Sequence, residues 1–237
     1  MPTKTDSYRA QLRSLRGWES FLLAESNLPG PRANLELAQA AADEGSLDQF
    51  RAWLRSPHEY LTLCGAIGLG RLVADGQLAL LAELRAAAND PRWRVREGVA
   101  MGLQRFGTHN WAGLLETLRD WSNGSLLERR AVVAAVCEPP LLRSEPAAEA
   151  ALELLDSITT SLRQEEKRSD ESFRVLRQAL AYGWSVAVAA APGAGKPLLE
   201  KWLASEDKDI AWLARENLKK DRLKRMDATW VGQWSGR

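Results

Sequence analysis

The stretches LRSPHEYLTLCGAIGLGRL (54–72) and AANDPRWRVREGVAMGLQRF (87–106) say nearly the same thing twice. At one offset of 34, Pro57 falls on Pro91, Ala66 on Ala100, Gly68 on Gly102 and Leu69 on Leu103. The same offset carries Leu84 to Leu118, Asn89 to Asn123, Arg96 to Arg130 and Ala100 to Ala134. A further echo is LLEKWLASEDKDIAWLARENL (198–218), whose EKWLASE matches RAWLRSP (51–57). Trp53 and Trp202 thus each close a first helix just before a short polar turn. Self-similarity at such a period marks stacked supersecondary units, each too small to bury its apolar face alone.

Each unit reads as helix, polar turn, helix. The turns SPHE, NDPRW, WSNGS and SEDKD are rich in residues that stop one helix and cap the next. Pro91, after a capping Asp90, is expected at the first helical position, where its missing N–H costs nothing. The second helices carry Gly65, Gly68, Gly70, Gly98, Ala100, Gly102, Ala134 and Ala135. A helical glycine costs about 1 kcal/mol of propensity, so these positions make sense where another helix approaches closely. The pattern predicts an all-α protein, an α-solenoid of about five helix pairs behind an N-terminal helical cap. The cap covers residues 1–30, with one helix over about 6–26; the array covers 31–225, with units ending near 76, 110, 142, 193 and 224. RQEEKRSDE (163–171) is expected to be a solvated loop, KKDRLKR (219–225) a helix's solvent face, and 226–237 a loosely docked tail.

Composition sets the outer limits. Thirty-two Lys and Arg offset 31 Asp and Glu, so no whole-molecule field draws nucleic acid or an anionic membrane. Cys64 and Cys137 form no metal or disulfide pattern and read as reduced, buried residues of a cytoplasmic protein. No segment reads as a signal peptide, and the longest apolar run, near residue 190, is too short to span a bilayer, which argues against a membrane partner. Ten Trp against three Tyr and four Phe imply an extensive core or repeated interfaces. His58 and His109 sit in turns without convergent carboxylates or cysteines, so no metal is expected. No nucleophile–base arrangement can be assembled, and no cofactor is implied.

AAAPGAGKPLLEKW (189–202) imitates a nucleotide phosphate loop. The pattern needs Gly, four residues, then Gly-Lys-Ser/Thr. Ala190 stands at the first Gly and Pro197 at the hydroxyl, so no nucleotide is expected. Pro192, Gly193 and Gly195 are read as stopping one helix, and Pro197 as starting the next.

DPRWRVREGVAMGL and DKDIAWLARENLKKDRL resemble HEAT repeats, in which a turn Asp-Pro precedes Val-Arg and an Ala-spaced second helix. SNGSLLERRAVVAAV and ARENLKKDRL resemble, more narrowly, the DNA alkylation repeat group, HEAT-like proteins that include alkylpurine DNA glycosylases. The resemblance covers roughly residues 35–225. It implies a concave, Arg-rich surface for damaged duplex DNA, with a catalytic Asp four residues after a Trp near the lesion. HNWAGLLETL places Trp111 on that Trp, but Leu115 stands where the Asp would be. Glu116 is one residue on and turned about 100° around the helix. The resemblance therefore implies a relative without glycosylase catalysis.

Arg92, Trp93, Arg94 and Arg96 head one second helix, and Arg129 and Arg130 head the next. With Trp111 they form the candidate binding strip, since phosphates favour such arginines and an aromatic among them can stack on bases. The competing reading gives Arg96 and Arg130 to ion pairs with neighbours such as Glu97 and Glu128. The leading expectation is a non-enzymatic binding or scaffold protein holding a protein partner; the alternative is a DNA-binding member of the alkylation repeat group, either a structure-specific DNA binder or an atypical alkylpurine DNA glycosylase.

Overall fold

The computed structural model describes residues 2–235. Their regular structure is entirely helical, with no strand among the described residues. The chain divides into two compact units, 1–110 and 111–237.

In the first unit, α1 (Lys4–Ser14), α2 (Glu19–Ala24) and α3 (Leu35–Glu44) precede two helix pairs. These are α4 (Leu47–Leu54) with α5 (Glu59–Ala74), and α6 (Leu81–Ala88) with α7 (Trp93–His109). α5 is the core of the unit: every residue from Tyr60 to Gly70 is buried, as a helix apolar all round demands. It packs against α3, α4 and, most extensively, α7. The glycines explain how closely. A Cβ on Gly70 would lie 2.1 Å from the Gly102 Cα, and one on Gly68 would fall 2.4 Å from the Phe50 ring. Gly102 corresponds to Gly68 in the sequence repeat, yet in space it meets Gly70.

The second unit contains α8 (Trp111–Trp121), α9 (Leu126–Val136), α10 (Glu145–Arg163), α11 (Glu171–Ala190), α12 (Pro192–Leu203), α13 (Lys208–Leu218), α14 (Asp221–Met226) and α15 (Ala228–Ser235). α11 is its central helix, packed against α9, α10 and α13. Buried Asn217 joins α13 to α11: its Oδ1 accepts from Ser185 N at 2.8 Å, and its amide donates to Leu180 O at 3.0 Å. Cys64 and Cys137 are free and buried, and burial pushes the Cys137 thiol up to about 12.

Several local expectations are corrected. The single helix over 6–26 is two, α1 and α2, because the chain turns at Leu15–Trp18 to set the Trp18 ring 6.1 Å from Trp53. Asp90 does not cap α7 through Pro91; α7 begins two residues later, and Asp90 instead accepts from Arg92 N at 2.8 Å. The charged loop is largely exposed, as expected, but it is pinned at one point: Arg168 pairs with Asp207 at 2.7 Å and with Asp209 at 3.1 Å. Gly193, Gly195 and Pro197 lie inside α12, where a Gly195 Cβ would meet the Val188 Cα of α11 at 2.8 Å. Lys196, in the phosphate-loop look-alike, pairs with Asp227 at 2.5 Å. In KKDRLKR, Lys219 and Lys220 form the turn between α13 and α14; on α14, Lys224 and Arg225 are exposed as expected, while Leu223 is buried. The tail folds as α15, held by buried Trp230, whose indole donates to Glu200 at 2.7 Å; Gly236 and Arg237 lie outside the described residues.

Candidate functional site

The head of α7 carries four of the predicted residues, and its arginines turn inward. Arg92 donates to Asp90 at 2.9 and 2.7 Å, to Ser56 O at 3.0 Å and to Thr62 Oγ1 at 3.2 Å. Its guanidinium and the Asp90 carboxylate hold each other charged: burial raises the Asp90 carboxyl, but the hydrogen bonds from the Arg92 side chain and backbone, with the charges of Arg92 and Arg96, together keep it below the usual carboxylate range. Arg96 is buried and donates to the carbonyls of Asp90 and Pro91, both at 2.8 Å. These two bonds go to its own turn. These two side chains, half-buried Arg92 and buried Arg96, tie the α6–α7 turn together through its carbonyls and the Asp90 carboxylate.

Arg94 is also buried. It donates to Gly30 O at 3.1 Å and lies 3.6 Å from Glu59. Its guanidinium stacks over the Trp93 ring at 4.3 Å, an arrangement worth about 0.5–2 kcal/mol depending on desolvation. Trp93 itself remains 48% exposed. A large indole held rigid by a buried arginine, with half its surface in water, is a preorganised platform.

Two hollows flank that platform. One, of about 500 Å³, is lined by Pro31, Arg32, Leu35, Glu36, Trp93 and Glu97 among others. The other, of about 450 Å³, is lined by Leu28, Pro29, Pro57, His58, Glu59 and Trp93 among others. Arg94 borders both. Glu36 and Glu97 share the first hollow with Arg32 and Arg94, and Glu59 shares the second with Arg94, so together the hollows hold three carboxylates against two guanidinium groups. A phosphate backbone would meet carboxylates there.

In the second unit, Trp111 opens α8 and is half-buried. Leu115 and Glu116 follow on the same helix, Glu116 exposed. Arg129 and Arg130, on the first turns of α9, are both half-buried, and Arg129 donates to Ser161 Oγ at 3.2 Å. The expectation that tryptophan serves packing holds for Trp53, Trp121, Trp184, Trp202 and Trp230, all buried. Besides Trp93, Trp212 is exposed at 37%, and it too has an arginine, Arg177, stacked at 4.4 Å. Nothing in DIAWLARENL separates Trp212 from a core position.

Among the described residues no group of His, Cys, Asp and Glu converges to hold a metal ion, and no helix is long and apolar enough to cross a membrane. No protein-family model matches the chain, and no curated protein matches it either.

Proposed function

We propose that the chain is a non-enzymatic HEAT-like α-solenoid of about five helix pairs, with an N-terminal helical cap, that works in the cytoplasm by holding a protein partner. The pairing of α4 with α5, α6 with α7 and α10 with α11, and the packing of α5 on α7 and α11 on α13, support the array reading. The partner segment sits on Trp93 and presents Lys or Arg among apolar side chains. The observation that carries this is the exposed Trp93 indole, braced by Arg94 and bordered by Glu36, Glu59 and Glu97. An aromatic anchor beside shallow hollows is the usual form of a binding hot spot, and one carboxylate in excess over the two hollows favours a basic partner.

The alternative, a DNA-binding member of the alkylation repeat group, keeps the resemblance and asks the same arginines to hold phosphates. Binding of a Lys/Leu-rich peptide and of short duplexes, undamaged and alkylated, separates the two. At low salt the peptide binds and the duplexes do not, and Trp93→Ala weakens the peptide about 30-fold, as loss of a hot-spot Trp worth about 2 kcal/mol requires. Duplex binding that falls steeply with salt and is lost in Arg129→Ala/Arg130→Ala supports the alternative instead.

A further inference from the structure

The second unit contains a hollow of different chemistry, far in character from the Trp93 platform and independent of it. It measures about 510 Å³, within the range of small-molecule sites. Leu142, Val186 and Ala189 give it an apolar floor, and Arg143, Arg222 and Arg225 stand around it with no carboxylate among the lining residues. The three arginines come from separate places: Arg143 follows a short helical turn at 139–142, while Arg222 and Arg225 lie one turn apart on α14.

We propose that this hollow binds a small amphipathic anion, a phosphate or carboxylate group attached to an apolar body. Neither Arg143 nor Arg225 makes an ion pair with any described carboxylate. Of the acids adjoining the hollow in sequence, Asp227 holds Lys196 at 2.5 Å, Asp221 lies 3.9 Å from Lys224, and Glu138 precedes Pro139 without lining the hollow itself. Arg222 is already positioned. Its guanidinium lies 4.7 Å from the Tyr182 ring centroid and donates to the Tyr182 hydroxyl. Tyr182 is itself 49% exposed, so the arginine is braced by an aromatic rather than neutralised by an acid.

The simplest competing explanation is that these cations complement the C-terminal dipole of α11, whose last residue, Ala190, lines the hollow. A helix end offers about half a negative charge, against three guanidinium groups. Most of the positive charge therefore remains uncompensated. Guanidinium groups suit phosphate and carboxylate because paired N–H donors match paired oxygens. The apolar floor then selects an anion with a hydrophobic attachment over a bare ion, and it also disfavours a nucleic-acid backbone, which would leave that floor uncovered.

Titration calorimetry of the full chain at low ionic strength tests this with octyl phosphate below its micelle concentration, inorganic phosphate and octyltrimethylammonium. Octyl phosphate should bind once and saturably, at least tenfold tighter than inorganic phosphate, while the ammonium amphiphile does not bind. Arg143→Ala/Arg225→Ala should weaken octyl phosphate at least tenfold, and both residues are exposed, so the variant keeps its fold. Ala190→Glu, which sets a carboxylate in the hollow, should abolish binding with unchanged circular dichroism. Arg16→Ala/Arg55→Ala, exposed cations of the first unit, should leave affinity unaltered. Equal binding of the cationic amphiphile, equal loss in the control variant, or undiminished affinity in Arg143→Ala/Arg225→Ala would overturn the assignment. So would a short DNA duplex that displaces octyl phosphate and binds tenfold more tightly.

Discussion

Three glycine-to-alanine changes separate glycine kept for contact from glycine merely tolerated. Alanine in a helix gains about 1 kcal/mol of propensity over glycine. At Gly70 that gain meets the backbone of α7: the new Cβ would stand 2.1 Å from the Gly102 Cα and 2.6 Å from its carbonyl carbon. Backbone cannot rotate away, so α5 and α7 must separate by more than 1 Å along their most extensive contact. Overpacking of a closed core costs about 1–3 kcal/mol, and this case belongs at the upper end. Gly70→Ala should therefore destabilise the first unit by about 2 kcal/mol net. At Gly102 the nearest atoms are at 3.0 and 3.1 Å, so the two effects should nearly cancel. Gly193, in the first turn of α12, has nothing within 4 Å, and Gly193→Ala should stabilise by about 0.5–1 kcal/mol. Urea unfolding followed by circular dichroism gives the three midpoints. Native-state hydrogen exchange of α5 and α7 amides shows which unit opens, which matters because units of a repeat chain need not unfold together. Gly70→Ala as stable as the parent chain, or no less stable than Gly102→Ala, would refute the close crossing.

Other outcomes follow from named contacts. Glu44 accepts from Arg9 at 2.8 Å and Arg13 at 2.6 Å, and the Arg13 hydrogen bond leads in lowering its carboxyl from 4.5 to about 2. Because its folded pKa lies below the unfolded one, its stabilisation is full above about pH 4.5 and fades as pH falls toward 2. Glu44→Gln should cost about 1 kcal/mol at neutral pH, the exposed arginines limiting the gain, and the difference from the parent chain in urea melts should shrink over that window. Asn217→Leu removes the partners of Ser185 N and Leu180 O and should cost about 2 kcal/mol or more, read from thermal melting. Trp230→Ala deletes a buried indole and its bond to Glu200; a loss of about 3 kcal/mol should appear as rapid proteolysis at α15.

The helices and the reason for their glycines were legible because both depend on local spacing. A 3.6-residue period and small residues on the second helices already announce close helix packing, and Gly70 and Gly102 meet as that pattern implies. What failed depends on partners distant in sequence. The turn at Leu15–Trp18 exists because Trp18 finds Trp53, 35 residues away, and α15 docks because Trp230 finds Glu200. In the candidate strip, DPRWRVR shows three arginines but not their acceptors. Arg92 and Arg96 go to Asp90, Ser56 and Pro91, which a basic run cannot reveal. Conversely, KKDRLKR reads as a solvated face, yet Arg222 and Arg225 border a hollow completed by Arg143, whose place only the tertiary fold sets.

The proposed role rests on Trp93 as the contact point for a basic, apolar protein segment. Two-dimensional NMR of the nitrogen-15-labelled chain tests it directly, with the Trp93 indole N–H assigned by its absence in Trp93→Phe. Titration with a Lys/Leu-rich peptide should shift that resonance saturably while the buried Trp53 and Trp202 indoles, bonded to Glu19 and Asp156, stay in place. A short DNA duplex should leave it unmoved at low salt. A Trp93 signal that ignores the peptide and follows the duplex would contradict the account.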